Sequence, residues 1–494
     1  MGQIVDNIPN AAVLVNSMRS IGYDFESAVA DIIDNSISAD ASNIKIFFPV
    51  DNAGDLYLEF IDDGYGMSEN ELIEAMRFGT VKQELRGRND LGRFGLGLKT
   101  ASISQCKRLM VISKKDGKIN GFSWDMDVLQ AQSGWNMIRL DNNEILESVP
   151  HFGEYLSTKS FTIVVWQKLD RILNDVTLLD NKYDVFSKHM SRTEKHIALI
   201  YHRFLESGLH ILMNNNPVKP LDPFLMKHSK TTIKPEQVIN VKSSNNTDEK
   251  VGMQVYVLPY HKDLSLDDYD RVGGAEKLND QGFYIYRNKR LMIYGTWFRV
   301  RPKAELSRNA RIRIDIPNTL DDLWSIDVKK QKAKIPAVLI EQLRGEVSDA
   351  VAKSKQLHDY KGNIQTKTGS LWNRRVNERE KNSVIYEINQ ESELIHNLMN
   401  SLDDRSLRDF KKILTMVELA LPYKDIYNSV ADKKDINTVG NDHRETLLTQ
   451  ALTLFEDFKK RKNMGNRQLV DYICSYEPFL SANIKDTLWE RING

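Results

Sequence analysis

The chain has 494 residues, with 68 Lys and Arg against 68 Asp and Glu, so overall charge argues neither for nor against a polyanionic partner, and any nucleic-acid contact must come from a local patch. Its two cysteines, Cys106 and Cys474, lie far apart without metal-ligand spacing, which argues against a disulfide framework and a cysteine zinc site. No apolar run reaches membrane-spanning length, and MGQIVDNIPN lacks the charged and apolar regions of a leader, so the expectation is a cytoplasmic protein without a membrane partner.

This length suits two to four domains. In AVADIIDNSISADA, residues Ala28, Val29, Ile32 and Ile33 recur at helical spacing, while Asp31 and Asn35, four apart, share a second, polar face. NIKIFFPV and LYLEFID read as strands. Ser68 and Glu71 form a capping-box pattern that opens a helix. A loop rich in Gly, Arg and Asn runs from about Gly79 to Gly97, followed by a short helix, the strand RLMVISK and a strand-rich stretch ending in FTIVVWQKLD. Helices on one side of a mostly antiparallel sheet make an α+β sandwich over residues 1–190.

From about Ser191 a second α+β domain is expected, over residues 191–353. It begins with the helical EKHIALIYHRFLESG and the strand–turn–strand pattern LHILMNNNPVKPLDPF. A lysine-rich loop, IDVKKQKAK, then leads into a long helix. Residues 354–384 read as a polar connector and 385–494 as a helical domain whose apolar stripes suit protein interaction or dimerisation.

Three motifs carry chemistry. The first is the helical Asp31–x–x–x–Asn35. The second is FIDDGYGM, where a strand delivers Asp62 and the chain turns at Gly64 and Gly66, glycines that permit unusual dihedrals and close approach to a ligand. The third is LGRFGLGLKTAS, where Gly92, Gly95 and Gly97 precede a helix N-terminus with Lys99 and Thr100 in its first turn. Unpaired backbone N–H groups and the helix dipole there suit phosphate. Each motif alone also reads as an ordinary polar face, turn or linker; their order within about a hundred residues is more specific.

That order resembles the GHKL ATPase superfamily of DNA gyrase, the heat-shock chaperone, sensor histidine kinases and MutL, on the branch of the MORC-type and MutL-type proteins. The resemblance implies a Bergerat α/β sandwich, a transducer-like α+β domain and, beyond them, the helical C-terminal domain. It implies ATP and Mg²⁺ as ligands. Asn35 matches the metal ligand, Asp62 the carboxylate that accepts from the adenine amino group, and Gly64, Gly66 and Met67 its surroundings. Gly92, Arg93, Phe94, Gly95 and Gly97 match the phosphate-cradling end of the lid, with Lys99 and Thr100 beside it. Thr162 matches a threonine near the adenine-binding Asp, although Phe161 stands where the family has Gly.

Asp31 falls where the family places its general base, usually Glu; Asp is shorter by ~1.5 Å, one carbon–carbon bond. A shifted helix, slow turnover, or a contribution from Glu26 are the readings this leaves. The family's transducer lysine, which reaches the γ-phosphate, is matched by Lys330, with Lys332 as the alternative. The segment FRVRPKAELSRNARIRIDI carries Arg299, Arg301, Arg311 and Arg313, a candidate DNA contact. The function implied is a homodimeric clamp gated by ATP, acting on DNA, in defence (bacterial, antiviral) or DNA repair. A chaperone-like ATPase with a protein client, or a switch that binds ATP with little turnover, is the alternative.

Overall fold

The computed structural model describes residues 9–20, 23–50, 54–78, 97–132, 134–172, 181–243, 246–274, 277, 279–321, 324, 336–362, 371–376, 384–422, 426, 441–462, 464–475, 479 and 482–493. The chain divides into two compact units, Met1–His358 and Asp359–Gly494.

The first unit is built on two sheets. The first has strands β1 (Asn43–Phe47), β2 (Tyr57–Asp62), β3 (Arg108–Lys115), β4 (Lys118–Asp125), β5 (Ile138–Arg139), β6 (Phe161–Gln167), β7 (His210–Met213) and β8 (Asn216–Pro217), in the spatial order β5-β4-β3-β6-β2-β1-β7-β8. Its pairings are antiparallel except β1 with β7. Alternation along the central strands assigns Phe60, Leu109, Val111, Val164 and Trp166 to one face, and Ile61, Met110, Ile112, Phe161, Ile163 and Val165 to the other. Against the first face pack helices α1 (Ala11–Arg19), α2 (Phe25–Ser38), α4 (Gly97–Gln105), α5 (Met126–Ala131) and α7 (Lys182–Ile200), through Val15, Val29, Ile33, Ala101, Ile103, Met126, Phe186 and Ile197. The second face is covered by α6 (Asn142–Ser148) and the turn after it, through Ile145, Val149 and Phe152. Helix α3 (Glu69–Met76) opens as its capping box predicts: Glu71 accepts from the Ser68 backbone N–H at 2.7 Å. This is the α+β sandwich anticipated from the sequence.

The second sheet comprises β9 (Thr232–Ile233), β10 (Gln237–Lys242), β11 (Asp248–Val257), β12 (Gly282–Arg287), β13 (Arg290–Thr296) and β14 (Ala310–Ile316), with the order β10-β11-β14-β12-β13 and β9 on β11. Leu343, Val347 and Ala350 of the long helix Ala337–Gly362 pack on its inner face with Val255, Ile285, Ile312 and Ile314.

The expected domain borders shift. Residue 190 lies inside α7, and the pattern LHILMNNNP, assigned to the second domain by its alternation, forms β7 and β8 on the first sheet. The hairpin turn was legible in Asn214 and Asn215, which adopt left-handed φ of 45° and 62°. Which sheet receives the strand is a long-range choice that alternation does not encode. Residue 353 likewise lies within the helix Ala337–Gly362.

In the second unit the expected connector contains a strand, Trp372–Val376, paired antiparallel with Val384–Ile388. Helices Asn441–Arg461, Asn466–Ile473 and Lys485–Asn493 enclose a core of Leu448, Phe455, Leu469, Ile473 and Leu488. Among the described residues, no helix is long and apolar enough to cross a membrane.

Candidate nucleotide site

Helix α2 starts where Asp24 caps it, accepting from the Ser27 N–H at 2.7 Å. Its polar side is not a solvated stripe. Asp31, Asp34 and Ser36 are buried, at 5%, 1% and 4% exposure, whereas Asn35 is exposed. Burying a polar group is costly without partners. Each of the three has them: the Tyr23 hydroxyl donates to Asp31 Oδ2 at 2.9 Å, Ser36 Oγ donates to Asp62 Oδ2 at 2.8 Å, and Asp34 meets Tyr201 and Arg290. Gly97, the first residue of α4, lies against the same helix: a Cβ added there would stand 3.6 Å from Asp31 Oδ2. The N-terminus of α4 and the Asp31 carboxylate are therefore neighbours.

At the other end of α2 three strands finish side by side. The register pairs Asp62 of β2 with Thr162 of β6, and Thr162 with Ser113 of β3. Asp62 Oδ1 also accepts from the Gly64 N–H at 3.0 Å. Burial raises the Asp62 pKa from the ordinary carboxylate value to about 6, against the lowering effect of the Ser36 and Gly64 hydrogen bonds. The Met67 N–H donates to Ser113 Oγ at 2.8 Å, and Ser113 Oγ lies 2.9 Å from the Phe161 carbonyl and 3.0 Å from Thr162 Oγ1. Phe161 points to the opposite face and packs beside Phe152 and Tyr155, so its bulk stays away from Asp62 and Thr162. Gly66 has φ of +67°, and a Cβ there would sit 2.0 Å from the Lys114 carbonyl oxygen. Gly64 is confined too, with Ala39 O 2.7 Å from its would-be Cβ.

Of the third motif, Gly92, Arg93, Phe94 and Gly95 lie outside the described residues, as do Lys330 and Lys332. Lys99 is 1% exposed, and its Nζ donates to the Arg77 carbonyl at 2.6 Å, tying α4 to the end of α3; burial lowers its pKa to about 8. Thr100 Oγ1 is buried and has no hydrogen-bond partner among the described residues. Glu26 stands one helical turn before Asp31, 3.6 Å from His189 Nδ1.

A helix-borne Asp and Asn, a strand-end Asp with two following glycines, and a Gly-headed helix beside them are thus drawn into one site. Residues 23–156 match the sequence profile of the histidine kinase-, DNA gyrase B- and HSP90-like ATPases. This segment is a GHKL ATPase domain. Its relatives are MORC- and MutL-type proteins. The chain is 32% identical over 121 residues to the ATPase morc-1 of Caenorhabditis elegans, spanning 24% of this chain and 14% of that protein. It is 37% identical over 92 residues to MORC family CW-type zinc finger protein 1 of Mus musculus, spanning 18% and 10%. With the DNA mismatch repair protein MutL of Fervidobacterium nodosum it shares 27% identity over 117 residues, 23% of this chain and 19% of that one. In each case the match spans less than a fifth of the relative's length.

The GHKL domain is joined to the second sheet by contacts that the motifs did not reveal. Asp34 Oδ1 accepts from Arg290 Nε at 2.7 Å and lies 2.7 Å from the Tyr201 hydroxyl, which is also 2.6 Å from the Ala30 carbonyl. Arg290 is 4% exposed and its guanidinium lies 5.8 Å from the centre of the Tyr201 ring. Burial works against the Arg290 charge, but Asp34 holds its pKa above the ordinary value; burial and Asp34 together push the Tyr201 phenol well up. The only signal in the sequence was the acidic residue Asp34, adjacent in the chain to the apolar Ile32 and Ile33 of α2.

The basic segment needs correction as a DNA surface. Arg311 is fully buried, donates to the carbonyls of Pro223 and, at 2.7 Å, Lys277, and so cannot meet a phosphate backbone. Arg313 is engaged by Glu236 at 2.7 Å, Asp315 at 3.0 Å and the Tyr256 hydroxyl at 2.9 Å. Arg299 is exposed, and Arg301, half-buried, lies 5.3 Å from the Trp297 ring centre.

Proposed function

We propose that this chain binds ATP with Mg²⁺ at the α2–α4–β2 site, hydrolyses it slowly, and uses nucleotide to bring two copies together through their N-terminal domains as a clamp on DNA. The observation that carries the reading is the placement of Asp31 against the first residue of α4, while Asp62 is held by Ser36 at the far end of the same helix. One rigid helix then fixes the distance between the base-recognising carboxylate and the phosphate end.

In this reading Asp62 accepts from the adenine amino group, its geometry set by Ser36 and the Gly64 N–H. Thr162 and Ser113 complete that end of the site. The N–H groups opening α4 face the triphosphate, and the partnerless Thr100 hydroxyl suits a phosphate oxygen. Asn35 supplies a hard oxygen donor of the kind magnesium accepts beside waters and phosphates. The metal's chemistry is to neutralise charge developing on the phosphates. Asp31 takes the proton of a water attacking the γ-phosphorus as the bond from that phosphorus to the β–γ bridging oxygen breaks, giving ADP and inorganic phosphate. The short Asp side chain, held by Tyr23, is the reason for proposing slow turnover. Lys330, with Lys332 as alternative, is proposed to reach the γ-phosphate.

The DNA client rests on the MORC and MutL relatives and on Arg299 and Arg301, in the repair or defence setting that the resemblance implies. The loss of Arg311 from the surface favours keeping a second reading, a protein client. Partners would dock on the C-terminal helices, where Asp404–Leu419 exposes Ile413, Met416 and Leu419. Gel filtration with and without a non-hydrolysable ATP analogue tests the clamp: an analogue-dependent doubling of size is expected, and an unchanged size with the analogue bound rejects it. DNA retention that falls with salt supports the DNA client, and no retention supports the protein client.

A further inference from the structure

We infer that the Asp34–Arg290 pair is the mechanical link by which the nucleotide state of the GHKL domain reaches the second sheet, with Arg290 as a positioning residue for Asp31 and Asn35. The inference deepens the nucleotide-site reading and rests on it. Asp34 lies between Asp31 and Asn35 on one continuous helix, three residues from the first and adjacent to the second. A helix transmits displacement as a rod, so α2 cannot shift or rotate to bring Asn35 and Asp31 toward a triphosphate without moving Asp34 as well.

Asp34 cannot move alone. Its carboxylate and the Arg290 guanidinium are both almost fully removed from water, with side chains 2% and 4% exposed. Separating them would leave the buried Arg290 guanidinium without its carboxylate, a costly loss in a site closed to water, so the two move together. Arg290 is the first residue of β13, and its own guanidinium also lies 3.4 Å from the Leu291 carbonyl. Movement of α2 is thereby delivered to the backbone of an edge strand of the second sheet.

The surroundings leave room for such movement. Beside Arg290 the junction of α2, α7 and β13 is not filled. A cavity of about 470 Å³ opens there, bordered by Glu26, His196, Lys277, Met292 and Tyr294. Among the described residues, other polar ties also reach the second sheet, from Tyr201 to Arg290, Arg203 to Asp315 and His202 to Tyr286, but these start from residues 201–203 at the end of α7 and not from α2. Among the described residues, Asp34–Arg290 is the ion pair that joins the nucleotide helix itself to the second sheet.

The test compares the full chain with Asp34→Asn, Arg290→Met and Arg290→Lys, reading nucleotide affinity, steady-state kcat and KM, thermal unfolding, and amide exchange over residues 282–296 with and without a non-hydrolysable ATP analogue. In the native chain the analogue is expected to slow exchange in α2 and in 282–296 together. In folded Asp34→Asn and Arg290→Met it should still bind within threefold of native affinity and protect α2. The protection of 282–296 should disappear and kcat should fall at least tenfold, with partial return in Arg290→Lys, which keeps the cation. Persistence of the 282–296 response in either folded variant overturns the link, as does its absence in the native chain. Losses of affinity, kcat and thermal stability that run in parallel in all three variants, or variants that do not fold, make the pair merely structural and also overturn it. If the native chain binds no analogue at all, the nucleotide reading falls first, a result distinct from binding without transmission.

Discussion

Ser36 and Asp62, 26 residues apart, meet at 2.8 Å with the serine hydroxyl donating to the carboxylate. The bond fixes α2 to the end of β2 and partly offsets the burial that leaves this carboxyl group with a raised pKa of about 6. Removing the donor in Ser36→Ala should therefore raise that pKa further, since the ionised form loses a stabilising contact. ATP affinity measured by calorimetry across pH 5–8 should show its acid limb displaced upward in the variant. Because phosphate ionisation of the ligand is common to both proteins, the displacement isolates Asp62; coincident limbs would separate Asp62 from nucleotide binding.

The same carboxyl group makes stability depend on pH with a definite sign. The folded state holds the Asp62 proton more tightly than the unfolded chain, whose carboxyl titrates near the ordinary value of 3.8. Its contribution is fully present below that value and is lost as pH rises through about 6. A shift of this size corresponds to about 3 kcal/mol. Denaturant titrations of Asp62→Asn should lack this component. The difference in unfolding free energy between native chain and variant should change with pH between about 4 and 6 and become flat above that window.

What was legible in the sequence was local. The helix carrying Asp31 and Asn35, the strand delivering Asp62 and the turn glycines follow from spacing, capping and φ requirements within a few residues of each other. Ser113 was missed because its role depends on β3 lying beside β6, a pairing set by the whole sheet. Arg290 was missed because its partner is 256 residues away. Arg311 was misread for a reason that alternation explains. In ARIRIDI the residues Ala310, Ile312, Ile314 and Ile316 form the inner face, which leaves Arg311 and Arg313 on what looks like a water-facing side. That side is covered, because Phe224, Tyr256, Tyr284 and Tyr286 build a second cluster over it. The tyrosines at alternate positions in β12 were the available signal.

Gly66 is the position at which a single methyl group should do most damage. Its φ of +67° is unfavourable for a side chain, and the added Cβ would fall 2.0 Å from the Lys114 carbonyl oxygen, on the backbone of a central strand that cannot retreat. Gly66→Ala is expected to lower unfolding free energy by roughly 1–3 kcal/mol from the dihedral alone, and further from the clash. It should also displace the loop after Asp62 and abolish nucleotide binding at temperatures where the variant remains folded. Chemical denaturation with a parallel nucleotide titration checks both effects. Gly117, also left-handed but with nothing within 4 Å, is the control: Gly117→Ala should suffer only the dihedral penalty.

Asp31 and Asp62 should separate binding from turnover. Asp31 touches the start of α4, where the γ-phosphate is proposed to lie; Asp62 stands at the base end. In Asp31→Ala the nucleotide should bind within a few-fold of native affinity while kcat falls about 10²–10⁴-fold, the usual contribution of a general base. In Asp62→Ala binding itself should be lost. A variant of Asp31 that turns over ATP at the native rate would remove it from catalysis.

Arg311 and the pair Arg299 and Arg301 should behave oppositely, because burial assigns them different work. Arg311 places its guanidinium against the carbonyls of Pro223 and Lys277 and over the Tyr284 ring, 5.4 Å from its centre. Arg311→Ala leaves those carbonyls without donors in a dry interior, costing about 1–3 kcal/mol for each group left unpaired, and its effect on DNA retention should follow from unfolding alone. Arg299→Ala and Arg301→Ala should leave thermal unfolding nearly unchanged and weaken DNA retention across sequences. The slope of log affinity against log salt should become shallower by about one for each phosphate contact removed. Retention curves at several salt concentrations, read beside thermal melts, distinguish the two classes. A stable Arg311→Ala protein with a reduced salt slope would reverse the assignment of that residue to the interior.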